Sequence, residues 1–227
     1  MVRLADLSSP GVAARAAAGA ILAVPIGATE QHGPHLPLTT DTDIALALCD
    51  GLAAARPEVL VAPAVPYGSS GEHAGFAGTL SIGQEATEFL LLELGRSAAE
   101  TFGRLLFVSA HGGNTGPVTR AAARLRAESR DVSVFRPRWP GEPHAGRAET
   151  ALQLTMRPGS VRMERAVAGD RRPLGELLPL LRAGGVRAVT ATGVLGDPTG
   201  ATAVEGEELL AGLTAALVSH VDEWRRA

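Results

Sequence analysis

The sequence predicts an α/β fold in which a largely parallel β-sheet lies between layers of helices. Short apolar, β-branched runs alternate with longer segments of helical spacing, which is the pattern of successive βαβ units. The chain has 227 residues, a length that one α/β domain commonly reaches, so we expect a single domain over residues 1–227. Hydrophobic residues make up 45% of the chain, which is enough for a substantial core.

Five strands are predicted, each an apolar or β-branched run bounded by turn-forming residues. The first is a continuous apolar run that ends at Gly27. In chain order the predicted strands are residues 20–26, 59–65, 104–108, 131–135 and 186–194.

Six helices are predicted between and after these strands, from apolar residues that recur at helical spacing. Thr40 or Asp41 lies near the start of the first, and Pro57 ends it. The predicted helices are residues 43–56, 84–102, 117–128, 144–156, 174–182 and 205–224. Segments rich in Gly, Ser or Pro at 67–81, 136–143 and 157–172 are predicted to be irregular.

Composition excludes several classes of protein. A formal net charge of −3 disfavours nucleic-acid binding, and the absence of lysine rules out Schiff-base chemistry and a P-loop. No G-x-G-x-x-G follows a strand, which disfavours a dinucleotide site. The single Cys49 permits no internal disulfide, in keeping with a cytoplasmic protein. The apolar stretch at 16–28 is too short to span a bilayer and runs into a polar motif, so we expect no membrane association.

The richest motif places Glu30, His32 and Asp41 within twelve residues, directly after the first predicted strand. In an extended Glu30-x-His32 segment both side chains point the same way, and a carboxylate beside an imidazole is typical of divalent metal sites. Pro34 and Pro37 stiffen the path to Asp41. The alternative for this segment is a polar surface loop.

Three further stretches carry histidines among glycines. His111-Gly-Gly-Asn114 follows the third strand, where it is either a ligand loop or a strand-to-helix turn capped by Asn114 or Thr115. His144 and Glu149 lie about 140° apart if both are helical, so they share a site only near the helix start.

His73 lies in a Gly-rich loop and either binds substrate or caps backbone. His35 is interpreted as structural and His220 as a surface residue. In parallel sheets, ligands bind outside the carboxyl ends of strands. Because the candidate ligands follow predicted strands, we expect them to meet at one edge of the sheet.

Taken together, these motifs resemble the creatininase-type amidohydrolases over most of the chain. The motifs that match are Glu30-Gln-His-Gly-Pro-His-Leu-Pro-Leu with Thr40-Asp41, Gly78-Thr79, His111-Gly-Gly-Asn114, and His144-Ala-Gly with Glu149-Thr150. Residues 71–82, 160–170 and 193–201 look most like the mycofactocin-system subgroup, peptidases that act in the maturation of a small ribosomally made peptide.

The resemblance implies a three-layer α/β/α sandwich, a hexamer-like homo-oligomer, and two divalent metal ions. By matching positions, Glu30 and His111 hold one ion, His32 holds the other, and Asp41 bridges them. Creatininase has Tyr and Glu where this chain has Gly112 and Gly113, so one metal-binding carboxylate is missing. Glu149 is the candidate that completes the second ion's ligands, and creatinine itself is disfavoured as the substrate.

The mechanism implied is hydrolysis of an amide by water activated between the two ions, which are Zn, Mn or Fe(II). His144 is the candidate proton shuttle, with Glu149 beside it. His73, Gly112, Gly113 and Asn114 are the candidate substrate-binding residues.

Three functions remain open from the sequence. The first is a peptidase that cleaves near the C-terminus of a modified mycofactocin precursor peptide. The second is a hydrolase of a small cyclic amide or formamide. The third is not an enzyme but a metal-binding subunit of a biosynthetic complex.

Overall fold

A parallel β-sheet forms the centre of the protein. In the computed structural model, which describes residues 2–139 and 141–226, the sheet has four strands in the order β2-β1-β3-β4. The strands are β1 (Ile21–Ile26), β2 (Val59–Val61), β3 (Arg104–Ser109) and β4 (Asp131–Phe135), and all pair in parallel. The predicted second strand is shorter than expected, and beyond it Val65 forms only an isolated bridge with Ile26.

Helices cover both faces of this sheet, which confirms the predicted three-layer α/β/α sandwich. They are α1 (Ser9–Ala17), α2 (Thr40–Ala55), α3 (Gly83–Ala98), α4 (Thr115–Ala127), α5 (Arg147–Met156), α6 (Leu174–Gly184) and α7 (Ala203–Arg226). Short 3-10 turns lie at Leu4–Asp6, Gly71–His73, Gly112–Asn114, Pro158–Ser160, Met163–Arg165 and Val186–Ala188.

Alternation along the central strand β1 divides the core into two halves. Leu22 and Val24 pack into a cluster with residues of α3 and α4, while Ile21 and Ala23 pack into a second cluster with α2, α5 and α7. Every residue of β1 is buried. A central parallel strand with helices on both faces is expected to be apolar throughout, as this one is.

Two predictions about secondary structure are wrong, and one helix was not predicted. Residues 186–194 do not form a strand: Gly185 has φ 67°, a 3-10 turn follows, and Leu195 forms an antiparallel bridge with His144. Among the described residues, the sheet consists of β2, β1, β3 and β4, and this segment pairs with none of them. Helix α1 was not predicted from the sequence, and α5 begins at Arg147, so His144 lies in the loop before it.

The candidate site residues lie in the segments that follow the carboxyl ends of the strands, with Asp41 and Glu149 in the first turns of α2 and α5. The irregular segment predicted at 136–143 contains Pro140, which lies outside the described residues. Among the helices of the described chain, none combines the length and apolarity that crossing a bilayer requires. The single domain over residues 1–227 stays a prediction.

Candidate metal centre

The segment between β1 and α2 turns the side chains of Glu30 and His32 into the molecule. β1 has ended at Ile26, so the two residues lie in the loop beyond the strand. A hydrogen bond from the Glu30 amide to the Leu38 carbonyl closes the loop at 3.1 Å. Gly33, with φ 65°, permits the turn. Both side chains are fully buried.

Asp41 lies in the first turn of α2, between the two imidazoles of His32 and His111. Its Oδ1 is 3.4 Å from His32 Nε2, and its Oδ2 is 3.3 Å from His111 Nδ1. The positive end of the helix dipole favours a carboxylate at this position. Asp41 thus offers one oxygen to each side of the site, which is the geometry of a bridging ligand.

Glu30, Asp41 and His111 form the first candidate ligand group, with their donor atoms within 4.8 Å of one another. His111 follows β3 and lies 3.3 Å from Glu30 Oε2 through its Nε2. The same nitrogen donates a hydrogen bond to the Ser69 carbonyl at 2.9 Å. This leaves Nδ1, on the Asp41 side, as the nitrogen available to a metal ion.

His32, His144 and Glu149 form the second group, again within 4.8 Å. Glu149 Oε2 is 3.9 Å from His32 Nε2, and the rings of His32 and His144 lie 4.4 Å apart between centroids. Glu149 also accepts a hydrogen bond of 2.6 Å from the Ala145 amide, which fixes its carboxylate. His144 and Glu149 reach the same site because His144 precedes α5.

A third group of donors consists of Glu30, His73 and His144, and it links the other two. His73 Nε2 is 3.3 Å from Glu30 Oε1, and His144 Nδ1 is 3.8 Å from the same oxygen. Gln31 orients both rings. Its side-chain nitrogen Nε2 donates a hydrogen bond to His73 Nδ1 at 2.8 Å, and its backbone carbonyl accepts one from His144 Nε2 at 2.8 Å. Gln31 was not predicted as a site residue, because its only signal in the sequence is its position between two predicted ligands.

The pKa values of these groups are shifted because several ionisable side chains are buried close together. Burial raises the pKa of Glu30 to about 8 and that of Glu149 to about 7. Burial alone lowers the pKa of His32 and His111, but nearby carboxylates outweigh it and raise both to about 10. Burial opposes ionisation of Asp41, yet the positive charges of His32 and His111, whose ring nitrogens lie 3.4 and 3.3 Å away, hold its pKa well below its usual range.

The remaining two histidines of the site are expected to be neutral at pH 7. Burial, followed by repulsion from His111 and His32, lowers the pKa of His73 to about 3. Burial, with repulsion from His32 and His73, also places the pKa of His144 far below its usual value. Neutral imidazoles can accept protons or bind a metal ion.

The donor set fits divalent cations. Within residues 2–139 and 141–226, four buried ligand atoms make no hydrogen bond with another protein group, namely Glu30 Oε1, Glu30 Oε2, His32 Nε2 and Asp41 Oδ2. A buried charged oxygen without a partner is costly unless a cation satisfies it. Mixed carboxylate and imidazole donors suit Zn, Mn and Fe(II).

The three remaining candidate residues lie in the turn between β3 and α4. Asn114 is fully buried, and its side chain accepts from the Ser69 amide and donates to the Gly27 carbonyl, both at 2.9 Å. It therefore ties together the two neighbouring loops. Gly112 is exposed, and a side chain at Gly113 would collide with Glu72 Oε1 and the Ser69 carbonyl. Their roles in substrate binding stay predictions.

The two histidines that were set aside lie apart from these groups. His35 Nε2 shares a hydrogen bond of 2.9 Å with Thr150 Oγ1 in the interior, in keeping with a structural role. His220 on α7 is only half-buried and contacts Ser133 Oγ at 2.8 Å.

Comparison with known proteins identifies the family. The family model described as creatinine amidohydrolase matches residues 5–221. The chain is 52% identical over 213 residues to the mycofactocin precursor peptide peptidase of Mycobacterium tuberculosis, covering 89% of this chain and 85% of that protein. It is 47% identical over 208 residues to the peptidase of the same name from Mycolicibacterium smegmatis, with 89% and 84% covered.

Among solved structures, the crystal structure of a creatinine amidohydrolase (creatininase) superposes with a TM-score of 0.83 at 25% identity. The match covers 98% of this chain and 97% of the other. Sequence, fold and donor set agree, and the chain therefore belongs to the creatininase family of hydrolases that act on C–N bonds.

Proposed function

We propose that this protein is a metal-dependent peptidase that hydrolyses a peptide bond near the C-terminus of a modified mycofactocin precursor peptide. The observation that carries the proposal is the meeting of two ligand groups at Asp41, with unsatisfied carboxylate oxygens directed between them. The names of the relatives that share about half of this sequence support the choice of substrate.

Five residues would hold two divalent ions. Glu30, Asp41 and His111 surround one position, and His32 and Glu149 complete the other with the second oxygen of Asp41. Bound there, such ions make water nucleophilic near neutral pH and polarise an amide carbonyl. Zn, Mn and Fe(II) all suit this set.

The other side chains handle the proton and the substrate. His144 is neutral at pH 7 and lies beside both groups, so it can accept a proton from the attacking water and give it to the leaving nitrogen. Gln31 holds the ring in place. His73 and the amides of Gly112 and Gly113 are proposed to bind the substrate, and the burial of the ligands excludes bulk water.

The other two functions differ in what they require. The same centre could hydrolyse a small cyclic amide or formamide. Creatinine itself is disfavoured, because this chain has Gly113 where creatininase has a metal-binding Glu. A metal-binding subunit of a complex would need no catalytic turnover. We further propose that the protein is cytoplasmic and forms a hexamer-like homo-oligomer. The exposed Phe89, Leu90 and Leu94 on α3 support contact between subunits.

The substrate is tested by incubating the metal-loaded protein with the modified precursor peptide and following products by mass spectrometry. We expect a short C-terminal fragment to appear, because the centre is equipped to hydrolyse amides. A chelator should stop its release, and added Zn, Mn or Fe(II) should restore it. Hydrolysis that persists in fully metal-free protein would exclude the mechanism, and cleavage of only small amides would favour the second function.

Metal binding should release protons, and its affinity should rise with pH. His32 and His111, with pKa values of about 10, and Glu30, with a pKa of about 8, are largely protonated in the metal-free protein at pH 7. An ion must displace those protons, so affinity falls as the pH is lowered from 8 to 6. Calorimetry in buffers of different ionisation enthalpy measures the released protons. Binding without proton release would show that the ligands are already deprotonated.

A further inference from the structure

A pocket of about 450 Å³ opens beside the metal centre, between the Gly71–His73 turn and the end of α6. Its volume is within the range of about 300–1,000 Å³ that is usual for small-ligand sites. Gly185, with φ 67°, approaches the Glu72 backbone so closely that any side chain there would collide with it. This contact fixes α6 against the turn, so the two walls of the pocket are held together.

Glu72 connects this pocket to the centre. The 3-10 turn directs His73 inward to Glu30, while Glu72 lines the pocket and lies with its Oε1 3.6 Å from His111 Nε2. Its carboxylate occupies the space that a side chain at Gly113 would need. The absence of a side chain at position 113 therefore makes room for the carboxylate of Glu72.

Arg182 lies on the opposite wall, near the end of α6. Its guanidinium forms no ion pair or hydrogen bond with any other residue that the structure describes, and the Glu72 carboxylate accepts no hydrogen bond from them either. Most arginines of this protein pair with a carboxylate, as Arg56 does with Asp222 and Arg96 with Glu128. An unpaired guanidinium and a carboxylate whose ionic contact is His111 thus line one small pocket that adjoins the centre.

We propose that this pocket binds the C-terminal fragment that the peptidase releases, with its amine end at Glu72 and its α-carboxylate at Arg182. The inference rests on the proposed peptidase function. Hydrolysis breaks the scissile C–N bond, adds the water oxygen to the carbonyl carbon, and leaves a protonated amine on the departing fragment. Glu72, next to His111, accepts hydrogen bonds from that amine, and the guanidinium of Arg182 can bind the carboxylate through two parallel hydrogen bonds.

Arg182 is tested with the precursor peptide in two forms, one with a free C-terminal carboxylate and one with a C-terminal amide. The metal-loaded wild type should hydrolyse the acid with a kcat/KM about tenfold higher than the amide, since one charge-assisted hydrogen-bonded contact is lost. Arg182→Gln should remove that preference, mainly through KM. Arg165→Gln is the matched control, because Arg165 is exposed, unpaired among the described residues and absent from the pocket.

Glu72 is tested by product inhibition with the released fragment and its N-acetylated form. The wild type should bind the free amine about tenfold more tightly than the acetylated fragment, and Glu72→Gln should bind both equally. Equal rates for acid and amide in the wild type, a preference that survives Arg182→Gln, or an amine preference that survives Glu72→Gln would overturn the proposal. Failure of the wild type to cleave either peptide would instead refute the peptidase function, and the subsite with it.

Discussion

Replacing Asp41 with asparagine should remove both metal ions and reduce peptide hydrolysis by at least about 100-fold. Outer-sphere partners of metal ligands alone are worth about 10- to 100-fold, and a shared ligand is worth more. Asp41 contacts His32 through one oxygen and His111 through the other, so each proposed ion loses a negatively charged donor. Asparagine keeps the shape of the side chain but offers a single neutral oxygen.

The same substitution also acts on the metal-free protein. His32 and His111 are buried, and their raised pKa values depend in part on the charge of Asp41. Removing that charge leaves buried cations with fewer partners, which typically destabilises a protein by about 3–5 kcal/mol. Circular dichroism must therefore accompany elemental analysis. If Asp41→Asn does not fold, His32→Ala provides the second test, with one ion expected to remain at Glu30, Asp41 and His111.

Asp43→Asn is the matched control on the same helix. Asp43 faces away from the centre, accepting hydrogen bonds from Thr39 Oγ1 at 2.9 Å and from Arg157 at 2.8 Å. The Asp43→Asn protein should keep two ions per chain and near-normal turnover. An Asp41→Asn protein that folds, retains both ions and hydrolyses the peptide at the normal rate would refute the bridging role of Asp41.

The sequence was sufficient to predict that Glu30, His32, Asp41 and His111 would meet. The reason is topological: parallel strands place the loops after their carboxyl ends at one edge, whatever the local conformation of each loop. That is why Glu30 and His32 reach the site even though they lie beyond the end of β1. The four strands that form the sheet were predicted for a similar reason, since a strand buried on both faces is apolar throughout.

What the sequence could not supply depends on contacts between distant segments. Gln31 and Glu72 carry no distinctive chemistry, and their importance follows only from the imidazoles that folding brings to them. The false strand at 186–194 shows the same limit, because β-branched residues form a strand only where a neighbouring edge is available to pair with. The place of His144 before α5, rather than on it, came from an antiparallel bridge with Leu195.

His144→Ala is expected to keep both metal ions and to slow hydrolysis by about 10²- to 10⁴-fold, the usual contribution of a general acid–base group. The His144 ring donates from Nε2 to the Gln31 carbonyl, which leaves Nδ1 3.8 Å from Glu30 Oε1. Because burial and the neighbouring imidazoles hold its pKa well below the usual value, the ring is neutral at pH 7 and Nδ1 carries no proton. A base that receives a proton from water and returns it to nitrogen affects rate more than affinity.

The competing role for His144 is that of a ligand, since its donor atoms also lie within 4.8 Å of those of His32 and Glu149. Elemental analysis separates the two: a ligand's loss lowers the metal content, whereas a proton carrier's loss leaves two ions in a slow enzyme. Added imidazole should restore part of the rate only if a proton carrier has been removed. The control is His220→Gln, which removes a half-buried imidazole on α7, away from the centre. It should change neither the metal content nor the rate of hydrolysis. The proton-transfer role requires intact metal content with reduced kcat, because in the proposed centre Glu149, fixed by the Ala145 amide, would complete the second ion's ligands without His144.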